Sequence, residues 1–183
     1  MFGQLQNDIL EYLNAVQKGN VVEINFAIRG GASCQGAELQ RSQDGIHFTA
    51  IDFIPGVCGG SEYTEVYAFT DEQPFEYHTN HYRIELGGQG TSDIVAIHFV
   101  RLEEGYRIFP NPSSDWAVIR FDNTSVQPYT LQVYGPSGKL WERAADIQSS
   151  EIYMDLSSYS AGIYIFQLTS SAAPTITGRL IVQ

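Results

Sequence analysis

The feature that most constrains the fold of this chain is a two-residue alternation of apolar and polar side chains that recurs along its length. The alternation is clear in residues 22–28, 82–86 and 95–99. Successive side chains of a strand point to opposite faces of a sheet, so each of these runs can bury one face. Residues 5–16 also show helix-like spacing, but we predict a strand over residues 9–16. The pattern as a whole predicts an all-β protein.

Turn-forming residues separate these runs at short intervals. Asp44-Gly45 indicates a hairpin, because glycine accepts the positive φ that tight hairpin turns require. About seven strands fit into residues 9–102 and about seven more into the remainder, which is the number typical of an immunoglobulin or fibronectin type III sandwich. We therefore predict two tandem β-sandwich domains of this kind, one formed by residues 1–105 and one by residues 106–183.

The second domain is small, so its buried aromatic side chains must contribute much of its stability. Its clearest predicted strands are 116–121, 129–134, 139–143, 152–156, 162–168 and 177–182. In the first domain, Tyr82 lies near the start of the predicted sixth strand. It is either the tyrosine of a tyrosine corner or an ordinary buried strand residue.

Composition excludes several classes of protein. The net charge is −11 and there is no cluster of Lys and Arg, so binding to nucleic acid is not expected. No apolar run reaches the roughly 18 residues of a transmembrane helix. The first residues lack the basic and apolar regions of a signal peptide. We expect the sequence to be a mature form, a recombinant piece or the C-terminal part of a longer protein.

Cys34 and Cys58 are the two cysteines of the chain. Such a pair is typical of a disulfide formed in an oxidising compartment, and we predict that these two residues are bonded. The chain-entropy model then gives about 3.5 kcal/mol of stabilisation for a loop of about 25 residues. Metal binding by two isolated cysteines is the less favoured alternative, because no zinc-like quartet is present.

No sequence motif indicates catalysis. Nucleophile elbows, phosphate-binding loops and zinc-protease motifs are absent, so we predict no enzyme, no cofactor and no metal site. His78 and His81 lie close in sequence without an evident third ligand. Weak calcium binding at turn carboxylates and a carbohydrate-stacking platform remain alternatives to turn capping and core packing. The residues concerned are Asp44, Asp71, Asp122, Tyr63, Tyr67, Phe69 and Phe75.

The last third of the chain carries a series of ordered motifs. The two prolines of the first motif fix φ and donate no hydrogen bond, which ends a strand. The glycines of the later motifs permit tight turns. The motif residues are Phe109, Pro110, Asn111, Pro112, Gly138, Lys139, Gly162 and Tyr164, followed by the terminal segment Arg179, Leu180, Ile181, Val182 and Gln183.

Taken in this order and at this spacing, the motifs resemble the type A C-terminal sorting domain of proteins secreted by the Bacteroidota type IX (Por) system. Most members of this family begin with Tyr-Pro-Asn-Pro, where this chain has Phe109. The resemblance implies export through an outer-membrane translocon and a β-barrel shuttle. It also implies removal of the domain by a sortase-like peptidase and attachment of the cargo to the cell surface.

The resemblance further implies that Arg179 to Gln183 form the main recognition element for the translocon. A terminal strand of this kind can add to an exposed sheet edge or enter a barrel, where its backbone would supply affinity. The bland alternative is a last strand that closes the core, and both can hold together.

The first domain is similar to a fibronectin-III-like module found upstream of such sorting domains. The most specific part of this similarity is the Arg-Ser-x-Asp-Gly-x-x-Phe block at residues 41–48. The resulting hypothesis is a secreted, non-enzymatic surface protein that passes through the periplasm. The alternatives are a module that binds a glycan or a surface protein, and the C-terminal fragment of a larger secreted hydrolase or adhesin.

Overall fold

The computed structural model describes residues 9–30, 35–56 and 62–183. Within these ranges the chain forms fourteen strands and no helix, which confirms the all-β prediction. None of the described residues belongs to a helix long and apolar enough to cross a membrane. Cys34 and Cys58 lie outside the described residues, so the disulfide stays a prediction.

The strands group into two compact units, Met1–Arg101 and Leu102–Gln183. In the first unit the described residues form two antiparallel sheets, with strand orders β1-β2-β5 and β4-β3-β6-β7. The strands are β1 (Leu10–Lys18), β2 (Val21–Ile28), β3 (Ala37–Ser42), β4 (Thr49–Ile54), β5 (Glu65–Asp71), β6 (Thr79–Glu85) and β7 (Val95–His98).

The core of the first unit lies between its two sheets. Val22, Ile24 and Phe26 of β2 are fully buried, as the alternation predicts. The opposite sheet contributes Leu39 and Ile84 to the same core. Two sheets that share one apolar interior form a β-sandwich of the fibronectin III kind.

The second unit repeats this arrangement. Its strands are β8 (Tyr106–Phe109), β9 (Trp116–Phe121), β10 (Tyr129–Tyr134), β11 (Leu140–Ile147), β12 (Glu151–Asp155), β13 (Gly162–Thr169) and β14 (Ile176–Val182). They form sheets of order β12-β9-β8 and β11-β10-β13-β14. Counted from the first strand of each unit, the two sandwiches therefore have the same strand order, which confirms the predicted fold class.

The predicted strand bounds agree with the structure to within two residues except at β11. The pattern predicted 139–143, whereas the strand extends to Ile147. β11 lies at a sheet edge, most of its side chains are exposed, and its pairing with β10 is interrupted by irregularities. Because bulges shift the two-residue period, the apolar pattern there does not mark the end of the strand.

Candidate recognition site at the terminal strand

The terminal strand β14 lies at the edge of its sheet, next to β13. The two strands pair antiparallel, with Ile181 opposite Ile163 and Arg179 opposite Ile165. Gly178 lies opposite Phe166 in the same pairing. This places the predicted recognition residues on one outer strand of the second sandwich.

The five predicted recognition residues do not share one environment. Leu180 and Val182 point into the core and are 0% and 4% exposed. Arg179 and Gln183 are exposed on the opposite face, and Ile181 is half-buried there. The segment is therefore a core strand whose second face is open to solvent. It closes the core of the second unit, as the structural alternative predicted.

The backbone edge of β14 is occupied by the first motif of the domain. The side-chain nitrogen of Asn111 donates to the carbonyl of Arg179 at 2.9 Å, and its side-chain oxygen accepts the N–H of Ile181 at 2.8 Å. The amide of one side chain thus supplies the donor and the acceptor that a neighbouring strand would otherwise provide.

Ser113 continues this edge contact with its backbone. Its N–H donates to the carbonyl of Ile181 at 3.0 Å, and its carbonyl accepts the N–H of Gln183 at 3.0 Å. Ser113 and Val182 form an isolated parallel bridge. The folded unit consequently leaves no free backbone edge between Arg179 and Gln183 for the strand addition that the sequence suggested.

The prolines explain why a side chain takes part in this contact. β8 ends at Phe109, and Pro110 and Pro112 have no N–H to donate to a strand. Both peptide bonds that precede these prolines are cis. Between the prolines, Asn111 makes the contact through its side chain.

The second group of motif residues meets at the turn between β10 and β11. Gly135 donates to the carbonyl of Lys139 at 2.9 Å, and Gly138 occupies the turn with φ of 76°. Gly162, at the start of β13, packs against this turn. A Cβ placed on Gly162 would lie 2.8 Å from Pro136, so only glycine fits without a shift.

Tyr164 is the aromatic centre of this turn region. Its ring is 1% exposed, and its hydroxyl donates to the carbonyl of Ser160 at 3.1 Å. It contacts Tyr159 at 4.8 Å and Trp141 at 6.0 Å between ring centroids. The hydroxyl of Tyr159 in turn donates to Glu142. The motif residues thus fall into two clusters, one at the β14 edge and one at the β10–β11 turn.

Sequence reasoning missed two structural residues and the role of a third. Ser113 lies just beyond the proline motif and has no distinctive sequence signature. The side chain of Asn123 is buried and binds the backbone of three residues, Gln127, Gln148 and Ser149.

Gly178 is the residue whose role was missed. It lies against the rings of Tyr106 and Phe166, which meet edge to face at 5.0 Å between centroids. A Cβ there would lie 2.4 Å from the Phe166 ring and 2.5 Å from the Tyr106 ring.

The conspicuous polar group of the first unit is a buried carboxylate. Nη1 of Arg41 donates to both carboxylate oxygens of Asp71, at 2.8 and 2.9 Å, and the hydroxyl of Tyr82 donates to the same carboxylate at 2.8 Å. Arg41 also donates to the carbonyl of Gln73 and stacks on Phe75 at 4.3 Å. Tyr82 therefore bonds to an upstream side chain, where a tyrosine corner would use the backbone. Burial, followed by the bond to Asp71, raises the pKa of Tyr82.

The block at residues 41–48 folds into the loop between β3 and β4. Asp44 accepts hydrogen bonds from the backbone of Ile46 and His47 and from the hydroxyl of Ser42, all at 2.8 Å. Its other oxygen lies 2.7 Å from Nδ1 of His47. The bond to the His47 side chain, followed by the backbone bonds, lowers the pKa of Asp44. The carboxylate acts as a turn cap here.

The remaining candidate residues are those considered for a carbohydrate-stacking platform and for calcium or metal binding. Tyr67 and Phe69 stack on the core residue Phe26, whereas Tyr63 is 65% exposed. These rings therefore do not share one solvent-facing platform. Asp122 accepts the N–H of Thr124, as a turn cap does. Among residues 9–30, 35–56 and 62–183, no three His, Cys, Asp or Glu side chains are grouped as metal ligands.

Solved structures similar to this chain include three at 12–13% identity and TM-scores of 0.34–0.35. A two-domain fibronectin type III segment of chicken tenascin covers 96% of this chain and 100% of its own, at 13% identity and a TM-score of 0.35. The match to the ligand-binding domain of human OSCAR covers 93% of this chain and 97% of that domain, at 12% identity and a TM-score of 0.34. The BSP domain of a biofilm-associated protein covers 96% of this chain at 12% identity and 0.34, and this chain spans 30% of it. None of these likenesses bears on function.

No curated protein matches this chain. Residues 107–183 match the family model described as the secretion system C-terminal sorting domain, which confirms the resemblance inferred from the motifs. The match begins one residue after the start of β8 and includes all the motif residues of the two clusters. Residues 107–183, in the second unit of this chain, are therefore similar to the secretion system C-terminal sorting domains, and this similarity indicates a secreted protein exported by the type IX system.

Proposed function

We propose that residues 106–183 direct this protein across the outer membrane and lead to its attachment at the cell surface. Residues 1–105 are then a non-catalytic cargo, binding or spacer module. The match to the sorting-domain family supports the export role. The partners are the outer-membrane translocon, a β-barrel shuttle and a sortase-like peptidase that separates the two units.

The observation that carries this proposal is the sorting-domain match of residues 107–183. The contact between the first motif and the terminal strand bears on the form in which this domain is recognised. Asn111 and Arg179 are 68 positions apart, yet the side chain of one binds the backbone of the other. A recognition element built in this way exists only when the domain is folded, because the two segments are brought together by the tertiary structure. The export machinery accordingly reads the folded domain.

The direct experiment removes Arg179–Gln183 from the full chain, preceded by a secretory signal peptide, in a bacterium with an active type IX system. We expect the shortened protein to stay in the periplasm, as judged by protease accessibility on intact cells. The deletion also removes the core residues Leu180 and Val182. A second variant, with both Arg179 and Gln183 replaced by alanine, leaves the core intact and is expected to reduce export as well.

A complementary experiment fuses residues 106–183 to an unrelated periplasmic protein. Surface display of the fusion supports the proposal. Retention of a correctly folded fusion in the periplasm contradicts it. The same reporter with residues 9–101 of this chain is the matched control, because that unit has the same strand order without the sorting motifs.

A further inference from the structure

The folded terminal strand has one surface left for a partner. β13 occupies one backbone edge, and Asn111 and Ser113 occupy the other. Leu180 and Val182 are in the core. What Arg179–Gln183 can present is the outward face, formed by the side chains of Arg179, Ile181 and Gln183.

Strand register extends this face across the sheet. Ile181 lies opposite Ile163, which is 54% exposed, and Arg179 lies opposite Ile165, which is 36% exposed. On the next strands, Tyr134 lies opposite Ile165 and Leu140 lies opposite Tyr134. We call the set Tyr134, Leu140, Ile163, Ile165 and Ile181 the outward apolar patch. Leu140, Ile163 and Ile165 are exposed, and Tyr134 and Ile181 are half-buried. Contiguous apolar side chains that face solvent in this way mark interaction surfaces.

The charges beside the outward apolar patch are positive. Arg179 borders the patch opposite Ile165, and Arg143 lies opposite Gln132 on the same face. The chain as a whole has a net charge of −11, so this face differs in sign from the bulk of the protein. Asp146 lies toward the other end of the sheet, beside Thr130 and Thr169. An apolar face flanked by cations fits a partner that combines apolar side chains with carboxylates.

We propose that the outward apolar patch and Arg179 together are the docking surface for a protein of the outer-membrane export machinery. This inference rests on the proposed export function. The partner's surface presents apolar side chains to Ile163 and Ile165 and a carboxylate to Arg179. A protein fits better than a lipid surface, because recruitment to anionic membranes typically uses clusters of about four to eight Lys and Arg.

The test compares export of the full chain and its variants in a type IX-competent bacterium. The double variant Ile163→Ser/Ile165→Ser and the charge reversal Arg179→Glu are expected to lower the rate of surface exposure about tenfold each, the effect of one lost interface anchor. Arg179→Lys retains the charge and is expected to retain most of the export. Thermal unfolding of each purified variant shows whether it is folded.

The matched control is Tyr153→Ser, which removes a 67% exposed apolar side chain from the other sheet of the same unit. We expect it to be exported at the normal rate. If the patch variants are also exported normally while removal of Arg179–Gln183 blocks export, the docking surface is wrong and the export function stands. If the deletion is exported as well, the export function itself fails.

Two measurements address other occupants of the patch. Sedimentation of the full chain shows whether it self-associates, and flotation with phosphatidylethanolamine–phosphatidylglycerol vesicles shows whether it binds membranes. Self-association or vesicle binding that disappears in Ile163→Ser/Ile165→Ser would assign the patch to a second copy or to lipid, and would overturn the proposal. The proposal is supported if the protein is a monomer that does not bind vesicles and if only the patch variants, and not the control, reduce export.

Discussion

Asn111 and Ile181 are joined by a hydrogen bond of 2.8 Å from the backbone N–H of Ile181 to the side-chain oxygen of Asn111. The same side chain donates to the carbonyl of Arg179. Asparagine suits this position because its amide carries a donor and an acceptor side by side, in the spacing of a peptide group. The side chain of Asn111 in the first motif thus makes the two hydrogen bonds to the last strand that a neighbouring strand would make.

Loss of this contact should destabilise the second unit. We expect Asn111→Ala to lower the free energy of unfolding by about 1–2 kcal/mol, since two solvent-accessible hydrogen bonds are lost. Chemical denaturation measures the change. Hydrogen exchange of the Ile181 amide should also become faster, because its acceptor is gone. Asn14→Ala, which alters an exposed asparagine of β1, is the control.

Asn111→Asp separates the two hydrogen bonds. The carboxylate still accepts from Ile181 but no longer donates to Arg179, so we expect an intermediate loss of stability. Equal stability of Asn111→Asp and the unaltered protein would show that the bond to the Arg179 carbonyl contributes nothing.

Gly178 should not tolerate a side chain. In Gly178→Ala the new methyl would lie 2.4–2.5 Å from the rings of Phe166 and Tyr106. Overpacking of this kind typically lowers the free energy of unfolding by about 1–3 kcal/mol. Thermal unfolding measures it, with the exposed neighbour Thr177→Ala as control. A Gly178→Ala protein as stable as the control would mean that the Tyr106–Phe166 pair can move apart at little expense.

The buried Asp71 should be a major contributor to the stability of the first unit. Asp71→Ala leaves Arg41 and the Tyr82 hydroxyl without their partner, and we expect a loss of about 3 kcal/mol or more. Tyr82→Phe removes only one hydrogen bond and should lower stability by about 1 kcal/mol. Urea denaturation of both variants gives the comparison. A larger loss in Tyr82→Phe than in Asp71→Ala would contradict this order.

Alkaline pH should destabilise the protein through two tyrosines, the buried Tyr82 and the half-buried Tyr159. Burial, followed by the bond to Asp71, raises the pKa of Tyr82, and burial, followed by the bond to Glu142, raises the pKa of Tyr159. Because both pKa values are raised above the ordinary 10.0, the associated stability is full below that pH and declines as pH rises beyond it. The ultraviolet absorbance of tyrosinate, followed together with unfolding, tests this.

In that titration Tyr82→Phe and Tyr159→Phe should each weaken the alkaline loss of stability. Tyr63→Phe, at a 65% exposed position, should leave it unchanged. If the absorbance of all tyrosines rises while the protein is still fully folded, the two hydroxyls are not protected.

The two cysteines are expected to be bonded in protein recovered from an oxidising compartment. Intact mass should rise by about two hydrogens on reduction. Free Cys34 and Cys58 in the folded, periplasm-derived protein would refute the bond. If the bond forms, a variant with serine at both positions should lose up to about 3.5 kcal/mol.

The sequence determined the all-β class and most strand bounds. Alternation is a local property, and it follows directly from the fact that successive side chains of a strand point to opposite faces of the sheet. The segments 116–121 and 129–134 are strands over the predicted ranges. The family of the second unit was also accessible from sequence, since its motifs are short, ordered and local. β11 was predicted less well, because an edge strand with irregular pairing loses the two-residue period.

Only the tertiary structure decided what the motifs contact. That Asn111 binds Arg179 and Ile181, that Gly178 makes room for two rings, and that Ile163 lies opposite Ile181 are relations between distant segments. They depend on the order and register of the strands within the sheet. The alternation of side chains states which face of a strand is buried, but it does not state which strand lies beside it.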